Sequence, residues 1–302
     1  MQPDQSTVTV AMQVKPLQPT FELRRILVYT LIAVSFAASM WVNQTKAEAV
    51  TPADFQAFID SDARQDDRVR DIYRHPAATL AFFDVEPDMS VVEIWPGGGW
   101  YADILGPYLS DHGQYVAAHF DPDSDVEYFR NSRARFAAKV TRQPKRFGST
   151  TLAVFDPGSE QAIAPDGSAD RVLSFRNVHN WYMRGGGDER VLAAFKTFYR
   201  ALKPGGVLGI VEHRLAADRP LVDQQSSGYL HQDYVIRMAE QAGFILQASS
   251  EINANPADST RYPEGVWTLP PSYRLGEQDR ARYQAIGESD RMTLKFIKPV
   301  RS

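Results

Sequence analysis

Between residues 90 and 297 short apolar runs alternate with longer stretches whose apolar positions recur at helical spacing. Ser90–Trp95 (SVVEIW), Gln114–His119, Thr150–Phe155, Arg171–Phe175 and Val207–Glu212 read as buried strands, with helices over Trp100–Leu109, Ser124–Val140, Asp188–Leu202 and Tyr229–Ala242. Strand and helix in alternation predict an α/β, doubly wound, mostly parallel sheet covered on both faces. Phe244–Ile252 and Met292–Ile297 also read as strands, but a long proline-rich excursion joins them, which fits an antiparallel final strand. Ahead of the sheet, Pro52–Phe83 is predicted helical, with Phe55, Phe58, Ile59, Val69, Ile72 and Tyr73 as its apolar stripe and His75-Pro76 dividing it in two. In such a sheet ligands bind beyond the carboxyl ends of the strands, so the residues that follow each strand are the candidates for function.

Residues 1–49 have a different pattern. A polar, proline-punctuated stretch leads to Arg24-Arg25, then to the charge-free run Ile26–Val42, and then to Ala47-Glu48-Ala49. A basic region, an apolar core and a small-x-small site predict an export leader cleaved after Ala49, which places residues 50–302 in the periplasm as one domain. Arg24-Arg25-Ile26-Leu27-Val28 resembles a twin-arginine signal. The alternative is an uncleaved inner-membrane anchor, the only membrane contact expected.

Composition narrows the chemistry. The chain has 302 residues, no cysteine, and 33 Lys+Arg against 37 Asp+Glu, a formal charge of -4. Disulfides, thiolate zinc sites and iron–sulfur clusters are excluded. The acidic balance, which loss of the leader increases, argues against a nucleic-acid partner, and the expected substrate is a small molecule.

The strand at residues 90–95 runs into Pro96-Gly97-Gly98-Gly99. Consecutive glycines permit positive φ and a close backbone approach, and the following helix adds free N–H groups. Val91-Val92-Glu93-Ile94-Trp95-Pro96-Gly97-Gly98-Gly99 resembles the first motif of the class I S-adenosylmethionine-dependent methyltransferases. Leu202-Lys203-Pro204-Gly205-Gly206 is similar to the turn before their fifth strand, and Phe175-Arg176-Asn177-Val178 to the fourth-strand end of quinone-biosynthesis methyltransferases. More narrowly, PGGGWY, FRNVHNW and GESDRMTL together resemble a group of exported, predicted methyltransferases.

The resemblance implies a seven-stranded sheet with the last strand antiparallel, and S-adenosylmethionine bound across the ends of the first two strands. By position, Glu93 organises the pocket around Pro96, Gly97, Gly98 and Gly99, which meet the cofactor. Two departures stand out: Trp95 replaces the first glycine, narrowing the space beside the amino-acid end of the cofactor, and His119 aligns where relatives place an acid for the ribose. Asp121 is expected to take over the ribose contact, because a carboxylate accepts from both hydroxyls, and Asp156 to meet the adenine amino group.

Methyl transfer needs alignment, exclusion of water and removal of a proton. His179, within Asn177-Val178-His179-Asn180-Trp181, is the expected base, with Asn177, Glu212 and His213 beside it on the catalytic rim. Glu212 is suited to orient a histidine or the substrate, and Arg214 either to hold an anionic group or to form a local salt bridge. Tyr262, Trp267 and Tyr273, in the loop before the last strand, are candidates to enclose an apolar substrate, while Asp290 and Arg291 are expected to pair with each other. His75, His112 and His231 read as structural.

No resident metal is expected on this reading. An alternative on the same fold brings His119, His179 and His213 together around a metal with Asp121 or Glu212, as an exported hydrolase or oxygenase. A noncatalytic envelope binding protein is the third possibility.

Overall fold

The computed structural model describes residues 49–148 and 150–300; the expected leader, apart from Ala49, lies outside them. Seven strands form one sheet: β1 (Ser90–Ile94), β2 (Gln114–His119), β3 (Thr150–Val154), β4 (Ala169–Phe175), β5 (Leu202–His213), β6 (Ile245–Ser250) and β7 (Arg291–Ile297). Their order is β3-β2-β1-β4-β5-β7-β6. The pairs among β1 to β5 are parallel, and β7 runs antiparallel to both β5 and β6. The seven-stranded doubly wound fold with an antiparallel last strand is therefore the one observed.

Alternation along each strand divides the core between two faces. Val91, Tyr115, Ala117 and Leu173 pack on one face with Phe55, Leu80, Phe83 and the Ala102–Leu109 helix. Val92, Val116, Val172 and Leu208 pack on the other, with Val191, Phe195, Phe198, Val235 and Met238 from two further helices. β5 starts at Leu202, earlier than expected, because Leu202 already pairs with Ala169 across a register shift in β4. Among the described residues no helix is long and apolar enough to cross a membrane.

The opening segment departs from the sequence expectation. It forms a succession of short helical turns, and Val69 and Ile72 are 70% and 67% exposed instead of lying on a buried stripe. Phe55 and Ile59 of that stripe are buried as expected, but between them and His75 the buried positions belong to Arg64 and Arg74. Arg64 bonds to Asp71 at 2.8 Å and to the Ile59 carbonyl at 2.9 Å, and both guanidiniums lie over the Trp100 ring, at 4.8 and 4.5 Å. A guanidinium with these partners can be buried, and its burial turns the apolar neighbours outward. His75, at φ 38°, ends one turn before Pro76 starts the next helix, as the His-Pro pair predicts.

Candidate active site

β1 and β4, adjacent at the centre of the sheet, both end in a left-handed residue that is not glycine: Trp95 at φ 45° and Arg176 at φ 61°. Such a backbone is strained for a bulky side chain and persists where surrounding contacts impose it. Asn177 joins the two strand ends, donating from Nδ2 to the Ile94 carbonyl at 2.8 Å. Its amide is therefore engaged in positioning Trp95 and the turn beyond it.

Glu93 is 2% exposed and lines a cavity of about 350 Å³ with Trp95, Pro96, Gly97, Gly98 and Arg176. The Tyr115 hydroxyl donates to it at 2.6 Å. Burial raises its pKa to about 7, against the opposing hydrogen bond from Tyr115 and the charge of Arg176. Gly97 is left-handed at φ 61°, and a Cβ on Gly97 or Gly98 would meet nothing within 4 Å, so the turn presents bare backbone to open space. Gly99 serves packing instead: a Cβ there would stand 3.1 Å from the Phe136 ring, and the residue does not line the cavity.

The raised Glu93 pKa has a consequence for stability. The native state keeps a proton that the unfolded chain releases above pH 4.5, so this residue's contribution falls as pH rises from about 4.5 through 7 and is flat beyond. The shift is equivalent to about 3 kcal/mol. Glu93→Gln, which keeps an acceptor for Tyr115, is expected to melt several degrees above the wild type at pH 8 and close to it at pH 4.5. Calorimetric melts at the two pH values check this, and an equal difference at both would refute it.

Asp121 and Asp156 stand in a different cavity, of about 580 Å³, at the ends of β2 and β3. Trp95 lines both spaces. Its indole runs from the end of β1 across Phe120, at 4.7 Å between ring centroids, to the end of β3, where Nε1 donates to the Phe155 carbonyl at 2.9 Å. Phe155 and Trp181 flank it at 5.8 and 6.0 Å. The residues expected to share one elongated ligand thus lie in two cavities, with Trp95 in the lining of both. Asp121 accepts from the backbone of Asp123, and Asp156 holds Arg190 at 2.9 Å.

On the other side of Arg176, the expected catalytic rim assembles around Glu212. This fully buried carboxylate accepts from His179 Nδ1 at 2.8 Å and from the His213 backbone at 2.7 Å on Oε1. On Oε2 it accepts from the backbones of Val178, at 2.6 Å, and His179, at 3.3 Å. With the proton of His179 held on Nδ1, Nε2 is left as the basic nitrogen. His179 and His213 line a second cavity of about 350 Å³, their rings 5.1 Å apart. Burial, reinforced by His179, keeps His213 neutral by pushing its pKa well below the ordinary value, and Ser289 Oγ lies 2.6 Å from its Nδ1.

The three-histidine metal arrangement does not form. His119 ends β2, on the far side of β1 from β4 and β5, and its Nδ1 accepts from the Phe120 backbone at 2.8 Å. Among the described residues, the potential ligands that do converge are His179, Glu212 and His213, and both oxygens of Glu212 are already committed to N–H donors.

Two further readings are decided. Arg214 is held by Asp290 at 2.8 Å and Glu251 at 2.6 Å, the local salt bridge that was the alternative to an anion-binding role. Arg291 pairs with Glu288, not with its neighbour Asp290, because successive residues of an extended chain point to opposite faces. Of the three loop aromatics only Trp267 lines the His179 cavity; Tyr262 packs on Tyr283, and Tyr273 lies under Arg280.

A group of arginines was not foreseen. Arg70 and Arg176 line both 350 Å³ cavities, with Arg74 on the first and Arg291 on the second. Glu288 bonds to Arg70 at 2.5 Å, to Arg74 at 3.4 Å and to Arg291. Burial alone would raise its pKa, but Arg291, Arg74 and Arg70 bring it down to about 2. The available signals were Arg176 inside FRNVHNW and the Arg68, Arg70, Arg74 spacing, neither of which shows in apolar periodicity.

No protein-family model matches the chain, and neither does any curated protein. Solved structures do match. The [4+2]-cyclase SpnF has a TM-score of 0.52 at 16% identity, over 76% of this chain and 82% of its own. A chain of the Haloferax volcanii complex containing the methyltransferase activator Trm112 has 0.50 at 16%, over 83% and 99%. An S-adenosylmethionine-dependent methyltransferase from Aquifex aeolicus has 0.46 at 17%, over 67% and 93%. With the strand order and the antiparallel β7, the chain has the fold of the class I S-adenosylmethionine-dependent methyltransferases.

Proposed function

We propose that this protein is an exported, S-adenosylmethionine-dependent methyltransferase acting on a small molecule. The carrying observation is the bare turn at Gly97 and Gly98, open to a cavity beside buried Glu93, at the strand ends where this fold places its ligands. The two ends of the expected track suit the donor: the glycine backbone at one, and Asp121 and Asp156 at the other. Its middle is filled by Trp95, so binding requires that indole to leave the Phe155 carbonyl. With the track open, Glu93 and the turn hold the amino-acid end, Asp121 the ribose hydroxyls and Asp156 the adenine amino group.

When bound, the donor supplies an electrophilic methyl group. The chain's own residues do the rest. Glu212 fixes the His179 tautomer, and His179 Nε2 takes the acceptor's proton in the second cavity. Val266, Trp267, Pro270 and Pro271 wall that cavity and restrict water. Residues 1–49 carry the domain to the periplasm.

Calorimetry with S-adenosylmethionine and S-adenosylhomocysteine tests this. Gly98 is not left-handed and has room for a Cβ, so Gly98→Val is expected to fold normally, fill the cavity and reduce donor binding at least tenfold. Equal binding by Gly98→Val and the wild type would place the donor elsewhere. If neither the wild type nor a chain lacking the Trp95 indole binds either compound, methyl transfer is abandoned. The His179–Glu212 pair would then serve proton transfer alone, on a fold that also serves a [4+2]-cyclase.

A further inference from the structure

Among the four arginines of the site, Arg176 differs in making no ion pair among the described residues, Glu288 and Glu93 acting on it only from a longer range. Arg70, Arg74 and Arg291 share Glu288, and Arg291 also donates to the Tyr73 carbonyl at 2.9 Å. The Arg176 guanidinium has no ion pair and no side-chain hydrogen bond among the described residues. Its backbone is fixed in the left-handed region, with its N–H donated to the Val211 carbonyl at 2.7 Å. Burial first, and Arg291 next, lower its pKa to about 10, so it stays cationic in a position that disfavours the charge. The side chain is half-buried, so its guanidinium faces the cavity with no carboxylate paired to it and three other arginines nearby.

The space it faces is built for a small ligand. The cavity of about 350 Å³ has Arg70, Arg176, Arg291, His179 and His213 on one side, with Glu288 as the only carboxylate in its lining. Val266, Trp267, Pro270 and Pro271 supply an apolar side, with the Trp267 ring 6.2 Å from that of His179 and backed by Arg274 at 4.6 Å. Its size lies at the lower end of small-molecule sites.

We propose that this cavity binds an anionic small molecule, whose carboxylate or phosphate group is held by Arg176 and whose apolar or ring-bearing body lies against Trp267 and the two prolines. A guanidinium fork matches either oxyanion in a bidentate manner, which explains an arginine left without a partner of its own. Held so, the molecule stands beside His179. As the methyl acceptor's site the cavity rests on the proposed function; as an anion site it does not.

The test uses the full chain without donor, titrated with benzoate, phenyl phosphate and neutral benzamide, and followed by calorimetry and saturation-transfer NMR. At least one anion is expected to bind ten times more tightly than benzamide; whichever of the two is tighter identifies a carboxylate or a phosphate ligand. Arg176→Met should weaken anion binding at least tenfold while its circular-dichroism spectrum stays that of the folded protein. Should Arg176→Met not fold, Trp267→Ala gives the second readout, a loss of aryl-anion binding on the apolar side. Equal binding of benzamide, or unchanged anion binding by a folded Arg176 variant, would overturn the proposal. Anion binding without donor binding keeps this inference and ends the methyl-transfer reading; donor binding without anion binding does the reverse.

Discussion

Trp95→Gly is expected to bind S-adenosylmethionine and S-adenosylhomocysteine about 30 to 150 times more tightly than the wild type. Trp95 lines both cavities, and on the proposed donor track its indole stands between Gly97 and Asp121, so only the fraction of molecules with it displaced would bind. Displacement breaks the Nε1 bond to the Phe155 carbonyl, worth about 1 kcal/mol, and ring contacts with Phe120, Phe155 and Trp181 worth about 1–2 kcal/mol together. A cost of about 2–3 kcal/mol leaves roughly one molecule in 30 to 150 competent, and the apparent Kd rises by that factor. Glycine removes the obstruction and relaxes a backbone held at φ 45°. Parallel calorimetric titrations of the two proteins measure the ratio. Weaker binding by the glycine variant would make the indole a wall of the donor site instead of an obstruction within it.

Glu212→Gln is expected to lower Tm by about 10 °C and to detach His179 from its orientation. Each Glu212 oxygen accepts from two N–H groups. A carboxamide offers one oxygen and one NH2, so in either orientation an NH2 meets donors where a carboxylate oxygen had been. Leaving such donors unpaired at a fully buried position costs about 3–5 kcal/mol, and each kcal/mol shifts Tm by about 2–4 °C in a domain of this size. Three of the four donors are backbone groups, so most of the loss should persist in a His179→Ala background. Thermal melts of the two single variants and the double variant separate the contributions. A loss confined to chains that retain the His179 ring would assign the carboxylate to that ring alone.

Those two effects differ in how far the sequence foretold them. Glu212 and His179 lie 33 residues apart, and both are visible as strand-end residues because apolar runs locate β4 and β5. Parallel neighbours bring their carboxyl ends to one rim, so gathering these residues follows from local patterns alone. The bare glycine turn is legible for the same reason, since a backbone property is written in consecutive residues.

The Trp95 substitution could be read, but not the direction of its indole. That depends on Phe120 and Phe155, contributed by the ends of β2 and β3, and on Trp181 beyond β4, which become neighbours only when the sheet forms. The arginine site was hidden more deeply. Arg70 and Arg74 come from the opening segment, Arg176 from the end of β4, and Glu288 and Arg291 from the approach to β7. In that opening segment the apolar pattern located buried Phe55 and Ile59 but failed beyond them, where Val69 and Ile72 face outward and Arg74 takes the buried place. Period and turn chemistry act over a few residues, and from them the sequence determined the strands, the helices after β1 and the rim on which function sits. Ion pairing and ring packing act through space between segments distant in the chain, so tertiary structure alone decided that Trp95 stands in the lining of both cavities and that Arg176 faces a cavity without an ion-pair partner.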